Sequence, residues 1–292
     1  MAIKIVTDSG SDLPREIVEE YGIDVIPLLV YLDEQEFLDG VTMDAKTLFD
    51  GMRAGHVYKT GQVTLNQFRE AFSRYAERGE SCIYLAFSSA LSGTYQSAEL
   101  VRNQLLQKYP NLDLDVVDTK CASLGFGMVV LKAAQMAREG FSKPQILEAI
   151  RFYSSHMEHI FTVDNLEYLY RGGRVTRAQA LIGGLLNIKP VLHVQEGRLV
   201  PLEKTRGRRK VLERIADILG ERAVEPDKQL IGISHGDDPA AVGWLQQMLR
   251  DKYGCQRFMT SMIGCAIGAH AGPGTVALFF LNEREPEFAK TE

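Results

Sequence analysis

The chain of 292 residues is 45% hydrophobic and 24% charged, a composition typical of a globular protein with an ordinary core. Its formal net charge of −5 argues against nucleic acid as the main partner. The cysteines are widely spaced without a CxxC pair, and the chain starts without a long apolar signal region, so we expect free thiols and a cytoplasmic location. The longest weakly charged run, residues 121–137, is too short to span a bilayer, so we expect no integral membrane segment.

The first half of the chain alternates strand and helix patterns. Apolar runs typical of buried strands are followed by segments whose apolar residues recur at helical spacing. This order predicts a parallel sheet covered by helices on both faces, which we assign to an N-terminal three-layer α/β domain, residues 1–157. The predicted strands cover residues 3–7, 24–32, 82–87 and 113–118, and the predicted helices cover 44–54, 64–79, 94–109, 121–137 and 142–156.

The pattern changes after residue 157. Residues 189–204 have the alternation of a hairpin with its turn at Glu196-Gly197, and a hairpin implies antiparallel pairing. We therefore predict a C-terminal α/β domain, residues 158–292, with a mixed sheet packed by helices. Further strands are predicted at 159–165, 229–234, 256–263 and 274–281, with short helical pieces up to about 187 and helices at 207–222 and from Pro239.

Polar segments at 7–12, 59–64 and 88–94 are candidates for ligand contacts at the carboxyl ends of strands. The third, SSALSGT, crowds hydroxyl groups where a helix begins. The unpaired N–H groups and partial positive charge of a helix start suit an anion such as a carboxylate. The alternative is that Ser92 or Thr94 only caps the helix.

Two other features suggest different chemistry. Residues 232–236 match G-x-S-x-G around Ser234, which leaves open an acyl hydrolase or transferase with Ser234 or Ser92 as nucleophile. However, a nucleophile elbow needs a helix directly after the serine, and the helix is predicted to begin at Pro239 with Asp238 as its cap. His156 and His159 lack partners at ligand spacing, so we expect no metal.

The basic run KTRGRRK at 204–210 is either a solvated face or a docking site for an acidic partner or phosphate. With the helix start in SSALSGT, it leaves open a binding module for a phosphorylated metabolite.

Several segments, in order and along nearly the whole chain, resemble the DegV family. The resemblance implies a two-domain α/β fold that holds a lipid, without a cofactor or catalysis of its own. Several members of that family serve as the fatty-acid-binding subunit of a bacterial fatty acid kinase and present the carboxylate to a separate ATP-using subunit. The matching segments are residues 6–14, 59–64, 88–98, 117–125, 166–175, 187–199, 204–210 and 267–274.

The resemblance also implies roles for individual residues. The carboxylate of a long-chain fatty acid is expected to contact Thr60, Ser92 and His270. One departure concerns the first contact, where this chain has Thr60-Gly61-Gln62-Val63 and the family often has T-S-Q-P. Ser88, Gly93 and Thr94 are expected to shape the loop, and Arg206 and Arg208, with Arg174 as a further candidate, to dock the kinase subunit.

The acyl tail is expected to lie in an apolar tunnel and to dominate affinity, since each buried methylene contributes ~0.8 kcal/mol. The polar loop is then expected to dominate orientation. The candidate tunnel residues are Leu181, Ile182, Leu185, Leu186, Ile263 and Phe279.

Overall fold

The computed structural model describes residues 3–176 and 187–289. In chain order its elements are β1 (Lys4–Asp8), a short helical turn (Ser9–Ser11), α1 (Arg15–Tyr21), β2 (Asp24–Ile26), β3 (Leu29–Leu32), β4 (Gln35–Leu38), α2 (Ala45–Arg53), β5 (Tyr58–Gly61), α3 (Leu65–Arg78), β6 (Cys82–Ala86), α4 (Thr94–Lys108), β7 (Leu114–Asp118), α5 (Ser123–Glu139), α6 (Lys143–His156), β8 (Met157–Thr162), α7 (Glu167–Arg171), β9 (Ile188–Gln195), β10 (Arg198–Arg206), α8 (Arg208–Arg222), β11 (Leu230–His235), α9 (Pro239–Tyr253), β12 (Arg257–Met262), α10 (Cys265–Ala271) and β13 (Val276–Leu281).

The N-terminal part contains a parallel sheet in the order β2-β1-β6-β7. Successive residues of a strand point to opposite faces, so alternation along β6 supplies two cores. Ile83 and Leu85 pack with α5, whereas Cys82 and Tyr84 pack with Phe68 and other residues of α3 and α4. The sheet is thus covered by helices on both faces, as the sequence predicts.

A small antiparallel sheet, in the order β4-β3-β5, lies beside it and corrects one prediction. Residues 24–32 were expected to form a single strand, but they divide into β2 and β3, which belong to different sheets. Pro27 stands at the break, where it has no N–H group to donate to a ladder. Residues 59–64 were expected to follow a strand. Instead, the first of them belong to β5, which pairs with β3 and places Thr60 opposite Val30.

The C-terminal part contains a mixed sheet in the order β10-β9-β8-β13-β11-β12. Its hairpin turns at Glu196 and Gly197, whose φ angles of 49° and 75° give the left-handed backbone of a tight hairpin turn. Helix α8 and helix α9 cover one face around a core that includes Ile215 and Leu278. The parallel and mixed sheets together confirm the predicted fold class, whereas the boundary at residue 157 stays a prediction.

Helix α5 lies between the two sheets, because it packs on β1 and also on β8, β11 and β13. Glycines allow this close contact. A Cβ atom at Gly125 would fall 2.6 Å from side-chain atoms of both His159 and Phe279, and one at Gly232 would fall 2.6 Å from the sulfur of Met128. The start of α5 therefore belongs to the contact between the sheets, where the candidate site also lies. None of the helices in the described ranges combines the length and apolar character needed to cross a membrane.

Candidate functional site

Three distant segments supply the predicted head-group residues. Thr60 is in β5, Ser92 lies in the loop between β6 and α4, and His270 is near the end of α10. All three line one cavity of about 280 Å³, near the lower end of the ~300–1,000 Å³ range of small-molecule pockets. The structure therefore brings together the residues that the resemblance named. We call this cavity the inner cavity.

Thr60 and His270 are in direct contact. The Oγ1 atom of Thr60 lies 2.6 Å from Nε2 of His270, a hydrogen-bonding distance. Burial, with a smaller contribution from the nearby Arg174 cation, lowers the pKa of His270 to about 4. His270 is therefore neutral at neutral pH and offers a directed polar atom rather than a positive charge.

Arg174 supplies a positive charge to the same cavity, a role that sequence reasoning missed. Its guanidinium donates to the carbonyl oxygen of Leu91 from Nε at 3.2 Å and Nη2 at 3.0 Å, and to that of Gly172 from Nη1 at 2.5 Å. Burial lowers its pKa, and no carboxylate of the described residues contributes to the shift. A guanidinium stays charged even so, which leaves Arg174 able to attract an anion in the inner cavity. Arg174 lines the inner cavity and takes no part in the ion pairs that Arg208 forms with Asp164 and Asp238.

The loop around Ser92 is shaped by close contacts. The hydroxyl of Ser92 lies 2.8 Å from that of Thr94, which is fully buried, and it accepts a long 3.3 Å hydrogen bond from the N–H of Thr94. Ser92 thus supports the start of α4 and also lines the inner cavity. A Cβ atom at Gly93 would overlap the side chain of Gln62, whose Nε2 donates to Ser97 at 2.6 Å. Gly93 therefore allows residues 60–63, where this chain departs from the usual family sequence, to pack against this loop.

Ser88 has a different partner from the other hydroxyls of its segment. It is fully buried, and its Oγ donates to the carbonyl of Gly197 in the β9–β10 turn at 2.9 Å. The loop that carries Ser92 is in this way tied to the mixed sheet.

The remaining wall of the inner cavity is largely apolar. Thr275, directly before β13, and Ala277 and Phe279 of β13 line one wall, and the four residue steps from Thr275 to Phe279 at ~3.3 Å give it a length of about 13 Å. Thr275 lies near the polar end, because its hydroxyl donates to Ala271, next to His270. The other apolar lining residues include Leu28, Phe87, Leu91, Phe161, Leu169, Val194, Leu199, Ile263 and Ile267.

The predicted tunnel residues fall into two groups. Ile263 and Phe279 line the inner cavity. Leu181, Ile182, Leu185 and Leu186 lie outside the described residues.

Buried aspartic acid side chains hold the helix that carries His270. Asp39 accepts the N–H groups of Cys265 at 2.7 Å and Ala266 at 3.2 Å, and Asp12 accepts that of Gly264 at 2.9 Å. Burial raises the pKa of both carboxyls, that of Asp12 to about 8. These bonds fix the start of α10 against the N-terminal part of the chain. The sequence patterns did not predict a helix at Cys265–Ala271.

Ser234 lacks the setting of a nucleophile. It is fully buried in β11, and its Oγ lies 2.9 Å from Ser123 Oγ, which donates to Asp12 at 2.5 Å. Helix α9 begins at Pro239 with Asp238 as its cap, as predicted, so no helix follows the serine directly. These contacts disfavour the hydrolase interpretation of G-x-S-x-G. Within the described ranges, no group of three His, Cys, Asp or Glu side chains is placed to hold a metal.

The two arginines of the basic run differ in their surroundings. Arg208 forms ion pairs with Asp238 at 2.7 Å and with Asp164 at 3.4 Å. Arg206 is the exposed last residue of β10. Arg206 is thus available to a partner, whereas Arg208 is held by its own chain.

Comparison with known proteins agrees with the fold and the segments described above. The model of the DegV family, described as uncharacterised proteins, matches residues 2–283. A DegV domain-containing protein of Clostridium perfringens is 41% identical over 286 residues, which cover 97% of this chain and 98% of that protein.

Solved structures are similar over comparable lengths. A DegV family protein from Thermus thermophilus, described by its fatty acid binding, has a TM-score of 0.88 and 33% identity, with 97% of this chain and 100% of that chain covered. The Fatty Acid Kinase (Fak) B3 protein of Streptococcus pneumoniae, loaded with linoleic acid, has a TM-score of 0.85 at 21% identity, with 97% and 100% covered, and shows a shared fold. The chain therefore belongs to the DegV family.

Proposed function

We propose that this protein binds a long-chain fatty acid with its carboxylate against Thr60, Ser92, His270 and Arg174 and its acyl chain in the inner cavity. The observation that carries the proposal is that these four polar side chains line one cavity, with Thr60 in contact with His270, and that most of the other lining residues are apolar. A carboxylate is a hydrogen-bond acceptor and needs donors. The hydroxyls supply neutral donors, and Arg174 supplies a charge-assisted one.

The acyl tail and the carboxylate contribute different amounts of binding free energy. Ten buried methylenes contribute roughly 8 kcal/mol before association costs. One hydrogen bond to a charged group contributes about 1.5–3 kcal/mol. The tail therefore dominates affinity, while the polar end fixes where the carboxylate lies. A small phosphorylated metabolite would leave the apolar wall unfilled, which favours the lipid over that alternative.

The protein presents the bound acid to a separate ATP-dependent kinase subunit, which forms an acyl phosphate. Two observations support this step. The fold is shared with the Streptococcus pneumoniae Fak B3 protein, and Arg206 offers an exposed cation for an acidic partner. The protein itself acts as the carrier and supplies no catalytic nucleophile.

Native mass spectrometry of the purified protein tests the binding proposal. We expect an added mass equal to one long-chain fatty acid, which extraction with organic solvent removes and added palmitate restores. The Ala277→Trp variant, which fills the cavity wall, is expected to purify without lipid. A wild-type protein that carries no lipid and takes up no palmitate would refute the proposal.

A further inference from the structure

A second cavity lies on the other side of the Thr60–His270 pair. It has a volume of about 330 Å³ and shares Thr60, Arg174 and His270 with the inner cavity. We call it the outer cavity. Its remaining walls include His56 of the α2–β5 connection and Lys59 of β5, together with Arg171 and Tyr168 of α7. Because His56, Lys59 and Arg171 are exposed, the outer cavity opens to solvent.

The outer cavity differs from the inner cavity in its charge. Lys59, Arg171 and Arg174 line it, and no acidic residue is among its described lining residues. Among the described residues, the one ion pair of Arg171 is a long, exposed contact of 3.9 Å with Glu167, which lies outside the lining. Exposed pairs of this kind contribute little, so the guanidinium is available to another anion.

We propose that the outer cavity binds the phosphate group of the acyl phosphate formed from the bound fatty acid, with Lys59 and Arg171 as its cationic contacts. This inference rests on the proposed function. Among the described residues, the two cavities share only Thr60, Arg174 and His270. A carboxylate bound between these three residues therefore lies where the cavities meet. Its chain fills the inner cavity, and a group added to its oxygen extends into the outer cavity.

The chemistry fits this arrangement. A carboxylate oxygen attacks the terminal phosphorus of a nucleoside triphosphate held by the kinase subunit. A new bond forms between that oxygen and phosphorus, while the bond from phosphorus to the nucleoside diphosphate breaks and the diphosphate leaves with the electron pair. The attacking carboxylate is already deprotonated, so no base is needed. The new phosphate carries negative charge, which Lys59 and Arg171 stabilise.

The outer cavity is also connected to the basic run. Arg208 pairs with Asp238, and the neighbouring Asp237 pairs with Arg53 at the end of α2. His56 of the outer cavity lies three residues after Arg53. These contacts link the start of α8 to the α2–β5 connection, which lines the outer cavity.

A stable analogue of the product tests the inference with the protein alone. In the β-ketophosphonate analogue of palmitoyl phosphate, a methylene group replaces the bridging oxygen. We expect the double variant Lys59→Ala/Arg171→Ala to bind this analogue about tenfold more weakly, because two charge-assisted contacts at a partly exposed site are lost. Its affinity for palmitate is expected to change less than about twofold, since Lys59 and Arg171 do not line the inner cavity.

A control variant separates a local effect from a change of net charge. Arg15→Ala/Lys108→Ala removes the same charge from exposed positions on α1 and α4 and is expected to bind both ligands as the wild type does. Unchanged analogue binding in the Lys59/Arg171 variant, or an equal loss for analogue and palmitate, would overturn the inference. Failure of the wild type to bind palmitate at all would instead refute the proposed function.

Discussion

Gly172 and His270 are in such close contact that a side chain at position 172 would overlap the imidazole. A Cβ atom built on Gly172 would collide with Nδ1 of His270, while Nε2 on the opposite side of the ring lies 2.6 Å from Thr60 Oγ1. The φ angle of Gly172 is −74°, which any residue adopts, so the glycine is required for space and not for backbone freedom. The ring of His270 is thus held between the α7 end and β5.

This contact predicts the effect of Gly172→Ala. The added methyl group is expected to displace the His270 ring and weaken palmitate binding about tenfold. Affinity for methyl palmitate, which lacks the carboxylate charge, is expected to stay the same. Displacement of a fluorescent fatty acid measures the dissociation constants of palmitate and methyl palmitate. Gly243→Ala, where nothing lies within 4 Å of the added Cβ, is the matched control. Unchanged palmitate affinity in Gly172→Ala would contradict the role of the ring position.

The hydroxyl of Thr60 gives a second prediction. Thr60→Val keeps the shape of the side chain but removes the Oγ1 atom, and we expect a loss of about 1.5 kcal/mol in palmitate binding. Thr60→Ser is expected to restore most of the affinity, because it returns the hydroxyl without the methyl group. Isothermal titration calorimetry measures the difference. Thr260→Val on the edge strand β12 serves as the control. Full affinity in the valine variant, with a loss in the serine variant, would mean that shape rather than the hydroxyl matters.

The apolar wall predicts a change in chain length. Ala277 is buried on β13 and lines the inner cavity, so larger side chains there take the space of the acyl tail. The series Ala277→Val, Ala277→Leu and Ala277→Phe is expected to shift the bound lipid towards shorter chains, with about 0.8 kcal/mol lost per excluded methylene. Native mass spectrometry of lipids captured from a mixture of saturated acids gives the distribution. An unchanged distribution across the series would place the tail elsewhere.

The buried imidazole of His159 predicts a pH dependence of stability. Its Nδ1 faces the carbonyl of Met157 at 2.9 Å, and its Nε2 accepts the N–H of Ala122 at 3.2 Å. Burial lowers its pKa from the ordinary 6.5 to about 4. Between these values the unfolded chain binds the extra proton, so His159 makes the folded state less stable as pH falls through that range.

The matched variant isolates this contribution from those of other groups. The difference in free energy of unfolding between wild type and His159→Gln is expected to shrink by up to about 1.4 kcal/mol per pH unit as pH falls from 6.5 towards 4. Urea unfolding at several pH values measures it. A difference that is independent of pH would mean that His159 is not neutral when folded.

The basic run predicts separate effects for its two arginines. Arg208→Ala is expected to lower the free energy of unfolding by about 1 kcal/mol, because it removes the partly buried pairs with Asp164 and Asp238. Arg206→Ala is expected to leave stability and lipid content unchanged but to slow acyl phosphate formation by the kinase subunit about tenfold, most strongly at low salt. Equal phosphorylation rates for wild type and Arg206→Ala would exclude a docking role for this residue.

The sequence predicted most elements because their apolar residues follow regular periods. The sequence did not predict the short elements, because a few residues do not show a clear apolar period. Strand β5 and helix α10 have four and seven residues, and both bear site residues. The contact between Thr60 and His270 joins positions 210 residues apart, which no local pattern reveals, so only the family resemblance named both. The place of Arg174 depends on its packing against Leu91, and the family resemblance suggested a docking role for it instead.

A crystal structure with α-bromopalmitate would locate the fatty-acid head group, because anomalous scattering identifies the bromine beside the carboxylate. We expect one bromine peak inside the inner cavity next to Thr60, Ser92 and His270. The carboxylate is expected within hydrogen-bonding distance of Arg174, and the acyl chain along Ala277 and Phe279. A bromine peak at the Phe279 end, or no bound lipid in the inner cavity, would contradict the proposed function.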